Sequence, residues 1–252
     1  WRRWANLATA LILIGGGVVN AATSEKSSGQ KVNLGYVSWD SEVASTNVLA
    51  ESLRQHGYDV TMTPLDNAVL WQSLANGQVD ASVSAWLPFT HKALYDRYKN
   101  DISLLGPNLH GAKTGFVVPD YMKVNSIADL SNEANKTITG IEPGAGEMIT
   151  AQKTLDSYSN LQGWNLLSAS SGAMTTALDK AYKAKQDIVV TGWSPHWMFS
   201  KYHLKYLEDP KGTMGKGEMI NTITRKNLKK DNPKLEKILD LSLIHISEPT
   251  RP

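Results

Sequence analysis

Between Lys31 and Trp86 the apolar residues change period four times, and no other feature of the chain narrows its possible folds so far. "KVNLGYVSW" places Val32, Leu34 and Tyr36 on one face of a strand. Val43, Asn47 and Leu53 then fall at helical spacing, with Gly57 as the C-terminal stop. "YDVTMTPL" reads as a second strand, and "NAVLWQSLANG" as a second helix ending on Gly77. "VDASVSAW" alternates strictly enough that a strand is the one sensible assignment. A β-α-β-α-β succession calls for parallel strands joined by crossover helices.

The pattern then restarts. "KTGFVVP" is a strand, "SIADL" a short helix capped by Ser126, "KTITGI" a strand and "PGAG" a tight loop. "EMITAQKTLDSY" and "GAMTTALDKAYKAKQ" are helices, with "NLLSAS" and "DIVVTGW" as the strands that follow each. "MINTITRKN" is expected as a return strand, and "NPKLEKILDL" opens a last helix. The chain of 252 residues suits two lobes of roughly 100 residues each. The predicted crossings between them lie near 114–120 and 219–226. They assign 31–116 with 222–240 to one lobe and 117–221 to the other, leaving a cleft between them as the default ligand site.

The ends stand apart from this pattern. Arg2 and Arg3, the apolar run Leu7 to Val19, and Val19 and Ala21 make the three parts of a signal peptide over 1–21. The rival reading is a membrane-segment remnant that fuses the domain behind a permease; both place it outside the cytoplasm. "LSLIHISEPTRP", residues 241–252, shares none of the preceding helix's pattern and reads as a non-native tail. Setting aside Arg2, Arg3, Arg251 and Glu248 makes basic and acidic residues equal in number, so there is no basic face for nucleic acid. The absence of cysteine excludes disulfides, zinc-thiolate sites, thiol nucleophiles and a lipobox.

In open α/β sheets, ligands sit beyond the carboxyl ends of the strands. Trp39, Trp86 and Trp193 all fall at such ends, from both halves of the chain. One tryptophan there is ordinarily a lid on the core, whereas three in equivalent places point to a shared pocket. Aromatic faces carry negative quadrupole charge, and rings gathered around a desolvated cation supply about 2 kcal/mol or more. Sugar stacking is the weaker use of the same rings. Trp71 and Trp197 are expected in the core, and Trp164 near a turn.

"GIEPGAGEMIT", residues 140–150, ends a strand, turns on two glycines and opens a helix at about Gly146. The unpaired amides and dipole of such a helix start make an anion site. An ammonium cage beside an anion site suits a zwitterion such as a betaine. His91, five residues past Trp86, is close enough to donate to the anionic end, although a lone histidine is as often a surface or capping group. Asp40 and Glu42 are expected to cap the helix after Trp39 rather than act as counter-ions.

Enzyme signatures fail. "GPNLHGAKT" misses a phosphate-binding loop because Ala112 intrudes between Gly111 and Lys113. No G-x-S-x-G elbow occurs, and the six histidines show no H-E-x-x-H or other metal spacing. An extracytoplasmic enzyme acting on small amines or esters therefore remains a second hypothesis without a visible nucleophile or metal.

"YVSWDSEVAST", "SAWLPFTH", "GIEPGAGEMIT" and "TGWSPHWMFSKYHLKYLEDPK" resemble the glycine-betaine-binding (OpuAC-like) proteins of osmoprotectant ABC importers, over about Lys31 to Leu239. The resemblance implies an α/β, two-lobed, type II periplasmic-binding-protein (Venus-flytrap) fold with mixed, mostly parallel sheets and flanking helices. It implies a non-enzymatic receptor that captures glycine betaine or a similar small zwitterion without any cofactor. It also implies an ABC permease transmembrane subunit as partner. Trp39, Trp86 and Trp193 match the family's three-tryptophan ammonium prism. Gly146 and Glu147 match its carboxylate-holding amides, and His91 a histidine that some ligands engage. Glu147 stands where an apolar side chain is expected, so its carboxylate must turn away from a bound anion.

Overall fold

The computed structural model of the protein describes residues 29–246, and side chains as far as 241. The expected signal peptide, and 247–252 of the expected tail, lie outside those residues. The first β-α-β-α-β run is β1 (Lys31–Tyr36), α1 (Asp40–Gln55), β2 (Asp59–Pro64), α2 (Asn67–Ala75) and β3 (Ala81–Leu87). Parallel pairing joins β1 to β2 and β1 to β3. All seven residues of β3 are buried. Its alternation is therefore one of residue size and polarity under cover on both faces. Helix α1 buries Glu42, Thr46, Leu49, Ala50 and Leu53, one step round from the expected Val43 and Asn47.

A short helix, α3 (Lys92–Tyr98), leads into β4 (Ile102–Pro119), a strand of 18 residues. The sequence reading places a strand only from Lys113. The Gly and Pro positions mark β-bulges: the pairing with β9 (Glu218–Arg225) slips between Leu104/Gly106, Pro107/Leu109 and His110/Ala112. β4 pairs antiparallel with β9 up to Ala112 and with β7 (Val189–Ser194) from Lys113. This single strand thus runs through both halves.

The second half adds β5 (Thr137–Thr139), α4 (Gly146–Ser157), β6 (Asn165–Leu167) and α5 (Ser171–Ala184) before β7. Short α6 (Met198–Lys201) and β8 (Leu204–Tyr206) follow it, and after β9 come α7 (Leu228–Asp231) and α8 (Pro233–Ile246). Here β5 pairs parallel with both β6 and β7. The strand order is β2-β1-β3-β9-β4-β7-β5-β6, with β8 beside β4. α8 runs across position 241 as one helix. Ser126 caps a 3-10 turn at Ile127–Asp129, its hydroxyl accepting from Ala128 N at 3.2 Å.

Each half has its own core. Leu34, Leu49, Leu53 and Leu235 anchor the first, and Phe116, Ile127, Ile138 and Val189 the second. A third cluster spans the two and contains Trp39, Trp86, Trp193, Met148 and Ile220. Each buried aliphatic, Phe or Met side chain in these clusters stabilises the fold by about 1.5–3 kcal/mol.

Candidate functional site

The carboxyl ends of β1, β3 and β7 point toward the seam between the halves. Trp39 sits three residues past β1 as the N-cap of α1, in extended backbone. Trp86 and Trp193 are the penultimate residues of β3 and β7. All three line one cleft, together with Ser41, Glu42, Ser84, Thr90, His91, Thr114, Ile141, Ala145, Gly146 and Glu147. Their exposures are only 8, 6 and 4 %, because each half covers the strand ends of the other. Trp71 lies in the core at 1 % exposure, and Trp164 is buried in the second half's own core. Trp197 overturns its expectation: it is 41 % exposed at the seam rather than in the core.

The six residues expected at the site therefore meet at one place. α4 begins there with Ala145 as its N-cap, a side chain that cannot accept a hydrogen bond. The Gly146 and Glu147 amides are by position among the first-turn donors without an intrahelical acceptor. Gly146 faces the first half directly: a Cβ built on it would stand 2.2 Å from Thr90 O and 2.9 Å from His91 Cδ2. Only glycine lets this helix start come so close. Gly144, at φ +90°, makes the turn that delivers it.

His91 is 2 % exposed and N-caps α3. Its Nδ1 accepts the Trp86 amide at 3.1 Å, which leaves Nε2 as the protonated nitrogen of the neutral ring. Burial depresses its pKa to about 4, opposed by the Ser84 carbonyl. The ring stacks on Trp39 at 6.3 Å between centroids and meets Trp71 edge-on at 5.9 Å. In this geometry His91 fixes the end of β3 and buttresses Trp39.

Burial works against charge at two of the buried carboxyls, Glu42 and Glu147. Glu42 accepts the Val37 amide at 2.9 Å through Oε1, while Oε2 has no hydrogen-bond partner. Burial raises its pKa to about 8, against the lowering effects of the Val37 amide and the Ser84 hydroxyl. Burial likewise raises Glu147 well above the usual carboxylate range; the Gly115 and Gly192 amides oppose the rise and the neighbouring Glu218 adds to it. The Glu147 side chain thus leans toward the β4 and β7 backbone. At neutral pH the cavity wall carries no fixed charge at Glu42 or His91. Glu218 accepts from Phe89 N at 3.0 Å, Thr90 N at 3.1 Å and the Thr90 hydroxyl, and so holds the turn after β3 against α4.

Hydrogen bonds cross the seam around the cavity. Trp39 Nε1 donates to Glu142 Oε2 at 2.9 Å, and Trp193 Nε1 to Ser41 Oγ at 3.1 Å. Trp197 Nε1 donates to Asp40 Oδ2, and His196 Nε2 stands 3.5 Å from the same oxygen. Asp40, expected to cap α1, makes no side-chain cap bond there and reaches across instead. Glu42 likewise serves the preceding β1 end rather than the helix amides. Sequence reasoning missed Ser41, Ser84, Thr114 and Glu142. Thr114 could have been found through register, since it pairs with Trp193.

Among the described residues no group of three or more His, Cys, Asp or Glu could hold a metal ion. Nor is any helix among them long and apolar enough to cross a membrane.

A family model described as the substrate binding domain of ABC-type glycine betaine transport systems matches residues 30–248. The chain resembles lactococcal OpuAC, crystallised closed with glycine betaine, at 65 % identity and TM-score 0.82, covering 84 % of this chain and 83 % of that one. It resembles ProX from Borrelia burgdorferi, a glycine betaine/L-proline-binding protein, at 33 % identity and TM-score 0.82, covering 87 % and 82 %. The glycine betaine/carnitine transport binding protein GbuC of Listeria monocytogenes serotype 1/2a (strain 10403S) is 50 % identical over 113 residues. That match spans 44 % of this chain and 38 % of the relative's length. The architecture is the two-lobed type II periplasmic-binding-protein fold, a mixed sheet with flanking helices. With three strand-end tryptophans and a helix start meeting in one interlobe cavity, the chain belongs to the OpuAC family of substrate-binding domains of ABC-type glycine betaine transport systems.

Proposed function

We propose that the cavity captures glycine betaine, or a close zwitterionic analogue, outside the cytoplasm and that the protein delivers it to the permease of an ABC importer. The observation that carries this reading is the convergence of Trp39, Trp86 and Trp193 with the N-terminus of α4 on one cavity. A trimethylammonium group has no N–H to donate, so it gains little from hydrogen bonding and much from ring faces, about 2 kcal/mol or more when desolvated. The carboxylate at the other end suits the Gly146 and Glu147 amides and the positive end of the helix. Glu42 and His91, both held neutral, leave a zwitterion with no competing formal charge. The lactococcal relative with glycine betaine bound supports the same assignment.

Closure follows from where the contacts come from. Trp39, Trp86 and His91 belong to the first half, Trp193, Gly146 and Glu147 to the second, so a ligand touching both favours the state in which they meet. The test is a titration of intrinsic tryptophan fluorescence and heat with glycine betaine, proline betaine, carnitine, choline and a disaccharide. Saturable binding of the carboxylated ammonium compounds, weaker binding of choline and none of the sugar is expected. No response to millimolar glycine betaine from folded protein would overturn the reading.

A further inference from the structure

Two of the three cavity tryptophans come from opposite halves, and each gives its indole N–H to the half it does not belong to. Trp39 of the first half donates to Glu142 Oε2 at 2.9 Å, in the loop before α4. Trp193 of the second half donates to Ser41 Oγ at 3.1 Å, in the first turn of α1. The arrangement is reciprocal. Both acceptors are themselves fixed: Ser41 lies within α1, and the other oxygen of Glu142 accepts from Ser171 N at 2.9 Å and Ser171 Oγ at 3.2 Å at the start of α5.

An indole on a strand end or helix cap has two side-chain torsions to settle, and packing against its own half leaves its outward edge free to swing. The N–H at that edge is a donor only, and burying it unpaired is costly. Until the halves meet, neither N–H has its acceptor. We infer that Glu142 and Ser41 are positioning residues for the ligand site: each locks a tryptophan of the opposite half, so the ring faces offered to an ammonium are set by closure itself. This inference rests on the ligand assignment above. It implies that ligand release, which must break both bonds, is slowed by them, while encounter with the separated halves is not.

A double-mutant cycle in the full chain, read as glycine betaine Kd by calorimetry and as association and dissociation rates by stopped-flow fluorescence, tests it. Ser41→Ala removes a neutral acceptor and should raise Kd about 3- to 10-fold, through faster dissociation at unchanged association. Trp193→Phe, which keeps a ring but no N–H, should abolish the effect of Ser41→Ala. Glu142→Ala removes a charged acceptor and should raise Kd about 10- to 100-fold, with that effect lost in a Trp39→Phe background. Because Glu142 also serves α5, its substitution can lower thermal stability; the Ser41 arm has no such ambiguity. Wild-type protein that fails to bind glycine betaine overturns the ligand assignment. Wild-type protein that binds, with Ser41→Ala weakening affinity equally whether or not Trp193→Phe is also present, or acting through association, overturns this inference alone.

Discussion

Replacing Gly146 with alanine isolates closure from folding. The added Cβ would stand 2.2 Å from the Thr90 carbonyl oxygen, where carbon–oxygen contacts are comfortable only beyond about 3.3 Å. The shortfall is about 1 Å. Thr90 cannot retreat cheaply, because Glu218 holds the amides of Phe89 and Thr90 and the Thr90 hydroxyl. The clash lies between the halves, so it disappears when they separate. Overpacking of this kind costs about 1–3 kcal/mol, equivalent to about 5- to 150-fold in Kd. In the separated protein the change is neutral or helpful, since alanine is the better helix former by up to about 1 kcal/mol. The expected result is glycine betaine affinity weakened by one to two orders of magnitude in calorimetry, with an unchanged or slightly higher Tm in the absence of ligand. Gly144→Ala is the control. It forces a φ of +90° on a side chain in open space, and so should lower Tm without the same loss of affinity. Wild-type affinity in Gly146→Ala, or lost affinity that tracks a large fall in ligand-free Tm, would refute the reasoning.

Trp86→Ala should weaken glycine betaine binding by at least about 30-fold, whereas Trp164→Ala should lower Tm and leave Kd within about threefold; equal losses of affinity would remove Trp86 from the site. Glu42 supplies a pH signature. Its folded pKa of about 8 lies above the ordinary 4.5, so the folded state keeps a proton that the unfolded chain releases, and stability falls as pH rises from about 4.5 to 8. Glu42→Gln keeps an acceptor for the Val37 amide and removes the titration, so its Tm should gain on wild type by several degrees between pH 5 and pH 8.5; parallel Tm curves would contradict the assignment. His91 acts in the opposite direction, withdrawing stability as pH falls from 6.5 toward its folded pKa of about 4.

Local chemistry made the architecture legible. Gly57 and Gly77 end α1 and α2 at φ +84° and +74°, where other residues are strained, and Ser126 caps the turn it precedes. The strand-end tryptophans were legible for a topological reason: parallel strands with crossover helices all deliver their carboxyl ends to one side. What escaped was set by distant partners or had no pattern. α3 buries no residue, so it leaves no apolar period to read. The first part of β4 is a strand only because β9 accepts its bulges. Asp40 carries the composition of a helix-capping residue, and nothing near it in sequence announces Trp197, 157 positions away. Trp197 itself sits in an apolar-looking motif, yet its indole edge is needed at the surface to reach that carboxylate.

Ala112 and Glu218 are partners in the β4–β9 ladder, so the chain leaves the first half and re-enters it at adjacent rungs. β9 also lies between β3 and β4 in the sheet, and β3 makes no pairing with β4 in its place. A chain emerging from the ribosome therefore presents β1 to β3 early but cannot close their sheet until Arg225 has been made. By then every strand of the second half, from Lys113 through Tyr206, has already been synthesised. The half of the molecule that is begun first is the half completed last, and its exposed β3 edge must wait for the other half to be finished.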